Sequence, residues 1–494
     1  MGQDFNFTKV YNSSTKRMVN SLILVLIVTT VRGYKLKRPK QHLNYKGRQL
    51  KDFTQGSLHK HILIMAIPIA INMIFQTLTN LVDVYFVGKL GGSALAGVAT
   101  SGNISFINML ITQTLFTGLV TIVSHAVGRK DFEDANKIYS HGIFYGLIFS
   151  IIVLIAGELF IDSYLSSVVD DRETYLRAKD YLTWFIPFLS LQVIYTSLVA
   201  PMYAIGLAKP FLYINIISQL FNVCLTPIFI NGIKNYIPGM GVSGASLASF
   251  LSGVTALLLA LYYSTFRLKS LKIDLKLIRS NWDVFRRIFK VGFPSGITFL
   301  IYFITTGAIY WALNLIGALQ QAGFGLGSKI GESILLPAMA IAFACPSIAG
   351  QNYAAGKHER VKKTFVITLM MSTILLSISS IICFIFPSWL PKYFSNDLSV
   401  ISASSSYLQY VGLSFPILGL IFTMNGMFQA LGNTIPTLIS AAIRMVVLIG
   451  LIYYFSNQPY FNENIIWLLL VLCSLLQSMI SYILLKKAFT KKLK

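Results

Sequence analysis

The sequence predicts an all-α integral membrane protein, with twelve transmembrane helices in two pseudo-symmetric six-helix lobes. Three observations carry this. Apolar residues fill 55% of the 494 positions and charged residues only 12%, with a mean hydropathy of +0.66, too apolar a balance for a chain that folds in water. Apolar stretches of roughly 20 residues, enough to cross a bilayer as a helix, recur from Ile62 onward between short polar breaks. Identical residues also accumulate at one fixed offset of 226 positions.

Hydropathy places the spans at 62–88, 104–127, 142–160, 182–206, 210–232, 242–263, 290–316, 318–350, 364–389, 407–431, 434–455 and 464–485. Cys224, Cys345, Cys383 and Cys473 all fall inside them without CxxC or metal-ligand spacing, so neither a disulfide framework nor a metal site is implied.

The formal charge is +23, but its distribution argues for topology and against nucleic acid. Of 41 Lys and Arg, 30 lie in residues 32–60, in every second loop thereafter and at the C-terminus; the intervening loops hold 6. Basic loops stay on the cytoplasmic side. Both the segment before the first span and the C-terminus are therefore expected in the cytoplasm of a bacterial inner membrane.

Residues 1–47 read as a disordered or interfacial extension. The apolar run 18–31 is short for a span, and the dense basic run after it argues against a secretory signal.

The offset of 226 pairs Pro68 with Pro294, Gly91 with Gly317, Ala96 with Ala322, Gly97 with Gly323, Tyr181 with Tyr407, Leu182 with Leu408, Ala204 with Ala430, Gly206 with Gly432 and Pro210 with Pro436. A duplicated six-helix unit follows. Six is even, so both copies share one orientation and enclose a cavity about an axis along the membrane normal. The expected organisation is an N-lobe over 48–264, a cytoplasmic linker over 265–289, a C-lobe over 290–486 and a basic tail over 487–494. Within the linker, WDVFRRIFK reads as an amphipathic interfacial helix leading into span seven.

A charge at mid-bilayer costs roughly 2.5 to 3.5 kcal/mol on insertion scales, so each one asks for a reason. On span one, Asn72, Gln76, Thr79, Asn80 and Asp83 fall within an arc of roughly 100°. That stripe faces protein or a water-filled cavity, and no basic residue of the same half sits at matching depth. On span five, Asn215, Ser218, Gln219, Asn222 and Thr226 form a similar but neutral arc, either a cavity wall or a seam of interhelical hydrogen bonds. In the second half, Lys329 and Glu332 are spaced to neutralise each other on span eight. Arg444 on span eleven stands alone, as a candidate cavity residue or half of a structural ion pair. His125 and His141 border the loop between spans two and three and read as loop residues.

The segments DFTQGSLHKHILIMAIPIAI, TLTNLVDVYFVGKLGG, ALAGVAT, AVGRKDFEDA, LFNVCLTPIFI, GVSGASLAS, GSKIGESILLPAMAIAF and AGQNYAAGKHER together resemble the multidrug and toxic compound extrusion (MATE) family, in its bacterial DinF-like branch. The resemblance runs from Arg48 to Ala488. It implies a V-shaped pair of lobes exporting amphipathic, often cationic compounds by proton or sodium antiport. Asp83 matches the family's span-one carboxylate and Asn222 its span-five asparagine partner, with Asn80 beside them. Asn72, Gln76, Asn215, Gln219, Thr226 and Tyr302 are the corresponding cavity candidates; Lys329, Glu332 and Arg444 are those of the second lobe. Two positions depart from the pattern. Thr226 stands where relatives often carry a second carboxylate, and Tyr302 where the sodium-coupled branch carries a glutamate.

An intramembrane enzyme needs paired aspartates or histidine-rich ligands within the spans, and the sequence has neither. A flippase for lipid-linked sugars lines its cavity with several cations, and only Lys329 and Arg444 qualify. A passive channel suits two pseudo-symmetric halves around a polar cavity less well than alternating access does. The reading is a monomeric, non-enzymatic exporter of small molecules across the bilayer, with no cofactor beyond its coupling ion, H+ or Na+.

Overall fold

The computed structural model describes residues 51–233 and 236–493; the extension read over 1–47 lies outside them. The first lobe is built from α1 (Leu58–Gly88), α2 (Gly92–Gly128), α3 (Phe132–Val168), α4 (Arg172–Ala204), α5 (Ala208–Asn231) and α6 (Val242–Tyr262). The second comprises α7 (Trp282–Asn314), α8 (Ala318–Ala354), α9 (His358–Ile385), α10 (Leu398–Gly412), α11 (Phe415–Ala430), α12 (Ile435–Ser456) and α13 (Glu463–Lys492). Eleven of these helices are long and apolar enough to span a membrane; α10 and α11, bent by 56°, together make the twelfth. Side-chain caps fix several starts: Asp131 accepts from Asp134 N at 3.0 Å, Asp171 from Thr174 N at 2.7 Å, and Asn281 from Val284 N at 3.2 Å.

Two expectations about the spans are corrected. Most helices overrun their hydropathic spans, α3 covering Phe132–Val168 against the expected 142–160, because hydropathy marks only the part in hydrocarbon and the helix continues through the polar interface. Span ten, expected as one segment over 407–431, is broken at Leu413–Ser414, just before Pro416 in the first turn of α11; proline removes a backbone donor and starts a helix well. Its counterpart α4 holds Pro187 and Pro201 without breaking. WDVFRRIFK is not a separate element. It forms the first turns of α7, with Arg287 making two hydrogen bonds to Asp134 of α3 at 2.9 and 2.8 Å.

The helix pattern repeats at the offset seen in the residues: α2 and α8 are both 37 residues long and start 226 apart. Across the lobe boundary α2 packs on α7 and α1 on α8. Glycines permit that approach. A Cβ on Gly118 would stand 2.5 Å from the Ile288 carbonyl oxygen, and one on Gly296 2.6 Å from that of Leu110; Gly292 lies as tightly against Thr114 and Gly128 against Gln351.

The hydrogen bonds joining the lobes gather at the basic end of the bundle. Ser347 donates to the Tyr203 carbonyl at 3.0 Å, Gln351 to that of Ala204 at 2.9 Å, and Thr117 to Ser295 at 3.2 Å. The segment before α1 is clamped there by the second lobe. Phe53, fully buried, donates its N–H to Gln351 Oε1 at 3.2 Å, while its carbonyl accepts from Asn352 and Arg360, both at 3.1 Å. Lys357 Nζ reaches the Thr54 carbonyl at 2.8 Å. Burial opposes the charge of neighbouring Asp52, but two hydrogen bonds from Thr54 and the charges of Lys357 and Lys130 outweigh it, holding this carboxyl below the usual range.

His125 and His141, read as loop residues, lie within helices, His125 half-buried and His141 buried. His125, near the end of α2, lies 2.7 Å from the Ala430 carbonyl through Nε2, and His141 lies 2.7 Å from the Arg279 carbonyl through Nδ1. Their partners are far away in sequence, which is why a local reading misplaces them.

Candidate functional site

Away from the basic end the contact between the lobes continues along α2 and α7, where the Phe106 and Phe303 ring centres lie 4.2 Å apart, while α1 turns polar. The α1 face that buries Ile62, Met65 and Ile69 in the core shared with α8 carries Gln76 and Asn80 further along, and both are exposed. The opposite face presents Leu78, Leu81 and Tyr85 outward, as a lipid-facing surface does. The polar stripe therefore looks into the space between the lobes, where alternation of apolar and polar faces along a helix puts it.

Asp83 ends this stripe, half-buried, with its Oδ1 accepting the Thr226 hydroxyl of α5 at 2.9 Å. The Asn222 amide, turned so that its oxygen accepts from Ser249 N and Oγ at 3.2 and 3.3 Å, donates to the same carboxylate oxygen at 3.2 Å. None of the ion pairs among the described residues involves Asp83. Its charge is met by neutral donors alone, so uptake or loss of a proton or cation there changes the local electrostatics without breaking a salt bridge.

The arc on α5 is chiefly a seam. Ser218 donates to the Ser252 carbonyl of α6 at 2.6 Å, Asn222 meets Ser249, and Asn215 Oδ1 accepts from Tyr195 of α4 at 2.8 Å. The exception is Gln219, which with Phe75, Leu78 and Tyr85 lines a groove of about 700 Å³ between α1 and α5. Because Leu78 and Tyr85 also face outward, this groove opens to the flank, and Asp83 does not line it. The Asn72 Oδ1, Asn215 Nδ2 and Gln219 Oε1 atoms are buried without a hydrogen-bond partner.

In the second lobe Lys329 and Glu332 of α8 pair at 3.1 Å with 78% and 65% of their side chains exposed. Arg444 on α12 has its guanidinium carbon 6.0 Å from the Tyr302 ring centre. The Asp83 cluster and this group occupy different lobes. The residue reading missed the joint at the basic end, Phe53, Gln351, Asn352 and Arg360, although the GQNYAAGK loop and the DFT lead-in stood out as segments.

A family model described as MatE matches this chain twice, over residues 68–228 and 294–454. The chain belongs to the MatE family. The two matches are again 226 residues apart, so the duplication is a property of the MatE fold. Among similar proteins, a probable multidrug resistance protein, YpnP of Bacillus subtilis, is 26% identical, covering 80% of this chain and 88% of its own. The multidrug export protein MepA of Staphylococcus saprophyticus is 24% identical, covering 89% and 97%. A MOP superfamily transporter from Pyrococcus furiosus has the same fold, with a TM-score of 0.83 at 22% identity over 90% of this chain and 98% of that one. So does a multidrug resistance MATE transporter in an outward-facing conformation, at 0.81 and 20% over 89% and 97%. The MatE fold of this chain is thus all-helical, with eleven spans and a bent pair as the twelfth, as the sequence predicts.

Proposed function

We propose that this MatE chain is a secondary active antiporter that exports small amphipathic or cationic organic compounds in exchange for protons, with sodium as the alternative ion. It acts by alternating access in a bacterial inner membrane, as a monomer with both termini in the cytoplasm. One observation carries the reading: Asp83 is a carboxyl held by Thr226 and Asn222 with no basic partner, at the end of a polar face that borders the gap between lobes. Names borne by relatives, multidrug export among them, support the substrate class.

Hydrogen bonds join the lobes at the basic end, and the exposure of Gln76 and Asn80 further along α1 supports a cycle in which an exported compound leaves from the other end. A proton on Asp83 Oδ2 removes the stripe's one negative charge, weakens its hold on a cationic compound and lowers the cost of packing α1 against apolar neighbours. Return of the lobes with the proton then delivers it inward. Inverted membrane vesicles test this: an acid interior should drive dye uptake by the native chain and none by Asp83→Asn. Uptake of equal extent by the variant would sink the mechanism, and uptake that follows an imposed sodium gradient instead would change the ion.

A further inference from the structure

The one cation of the second lobe's interior that lacks an acidic partner is Arg444, among the described residues. Its Nε is buried with nothing to donate to, and no ion pair satisfies its charge. The guanidinium carbon stands over the Tyr302 ring, 6.0 Å from its centre. The other candidates for pairing are already committed: Glu332 to Lys329 at 3.1 Å, and Asp83 to the opposite lobe.

The duplication sharpens the contrast. At the offset of 226, Arg444 corresponds to Ser218, Tyr302 to Gln76 and Tyr407 to Tyr181. Where the first lobe closes a hydrogen bond from Ser218 to the Ser252 carbonyl, the second holds a forked, permanently charged donor. A lone guanidinium in a membrane interior costs several kcal/mol unless something pairs with it, and a guanidinium fork fits a carboxylate in two-point contact.

We propose that Arg444 is the receptor for a carboxylate on the transported compound, with Tyr302 packing against the ring that bears it. The second lobe would then take the anionic end of an aromatic zwitterion. One cation suits one negative charge; a phosphate or pyrophosphate would ask for several, and Lys329 is neutralised by Glu332. This rests on the export reading for its physiological meaning, but the site itself can be measured without transport.

The test uses the full chain in detergent and two matched fluorescent probes: a cationic xanthene dye with a free benzoate, and the methyl ester of the same dye. Anisotropy titration should show the native protein binding the benzoate form several-fold more tightly than the ester. Arg444→Gln should weaken the benzoate form about tenfold, the loss of a charge-assisted contact worth about 1.4 kcal/mol, and leave the ester within about twofold, which also shows that the variant is folded. Arg444→Lys should fall between, keeping the charge without the fork. Glu332→Gln should bind the benzoate form at least as tightly as the native chain. Equal affinity of the native protein for both dyes, binding of neither, or equal losses of both in Arg444→Gln would overturn the proposal. So would a benzoate-selective loss in Glu332→Gln matching that of Arg444→Gln, since it would make Glu332 the partner. Intact benzoate binding with no gradient-driven uptake would sink the export reading alone; ester uptake with no benzoate preference would sink the site alone.

Discussion

Thr226 of α5 donates its hydroxyl to Asp83 of α1 at 2.9 Å, on the same carboxylate oxygen that Asn222 of α5 reaches at 3.2 Å. Thr226→Val keeps the shape and removes the donor, and a hydrogen bond to a charged group contributes about 1.5 to 3 kcal/mol. The variant should unfold at a lower temperature than the native chain, and the same change made in Asp83→Asn should cost less. Identical losses in both backgrounds, read from a double-mutant cycle, would mean that this contact contributes nothing specific.

Restoring a carboxyl at this point should alter the coupling without destroying it. Thr226→Asp places a second acid beside Asp83, and two such groups titrate as a coupled pair. Vesicle uptake measured across external pH should persist with a displaced optimum; an unchanged profile would show that position 226 has no part in proton handling.

The buried ring of Phe53, on a segment clamped through its backbone, should govern how tightly the basic end closes. Phe53→Ala leaves a cavity costing roughly 3 to 5 kcal/mol when a buried phenylalanine is lost, against a seal that transport must itself break. A single cysteine at Ser347, in a background with Cys224, Cys345, Cys383 and Cys473 replaced, should then react faster with a thiol reagent applied from that side. Asp52 bears on the same segment with the opposite outcome. Its lowered folded-state value means that its contribution is complete above the ordinary aspartate value of about 4 and lost only as pH falls below it. Asp52→Asn should leave the pH profile of uptake between 5 and 8 unchanged, and a shifted profile would move proton sensing to this segment.

Orientation is measurable directly. In that cysteine-replaced chain, single cysteines at Lys276 and Lys357 should be protected from an impermeant thiol reagent in intact cells, and one at Lys392 should react. Inverse labelling would reverse the sidedness inferred from the basic loops.

The spans and the duplication could be read from the chain because both are repeated, local signals: hydropathy recurs twelve times, and the 226-residue offset recurs at Pro68, Tyr181, Ala204 and beyond. Asp83 stood out for the same reason, as the one acid on a periodic polar stripe. The break at Leu413–Ser414 was less visible, although Ser414, Phe415 and Pro416 are in the sequence, because the homologous α4 tolerates two prolines without breaking. His141 was misplaced because its partner, the Arg279 carbonyl, is 138 residues away. The α5 arc could not be divided into seam and cavity by periodicity, since that depends on whether α6 presents Ser249 and Ser252 to it.

The glycine contacts between α2 and α7 have an electrical consequence. With Gly118, Gly292 and Gly296 bringing backbone against backbone, the seam leaves no width for a file of water, and so no wire along which protons could hop. Moving one elementary charge through a potential of 100 mV is worth about 2.3 kcal/mol; a chain that leaked there would drain the energy store of the membrane it sits in at every idle moment. A side chain at Gly292 would meet the Thr114 carbonyl and force the two helices apart, opening the very seam that the small residues close.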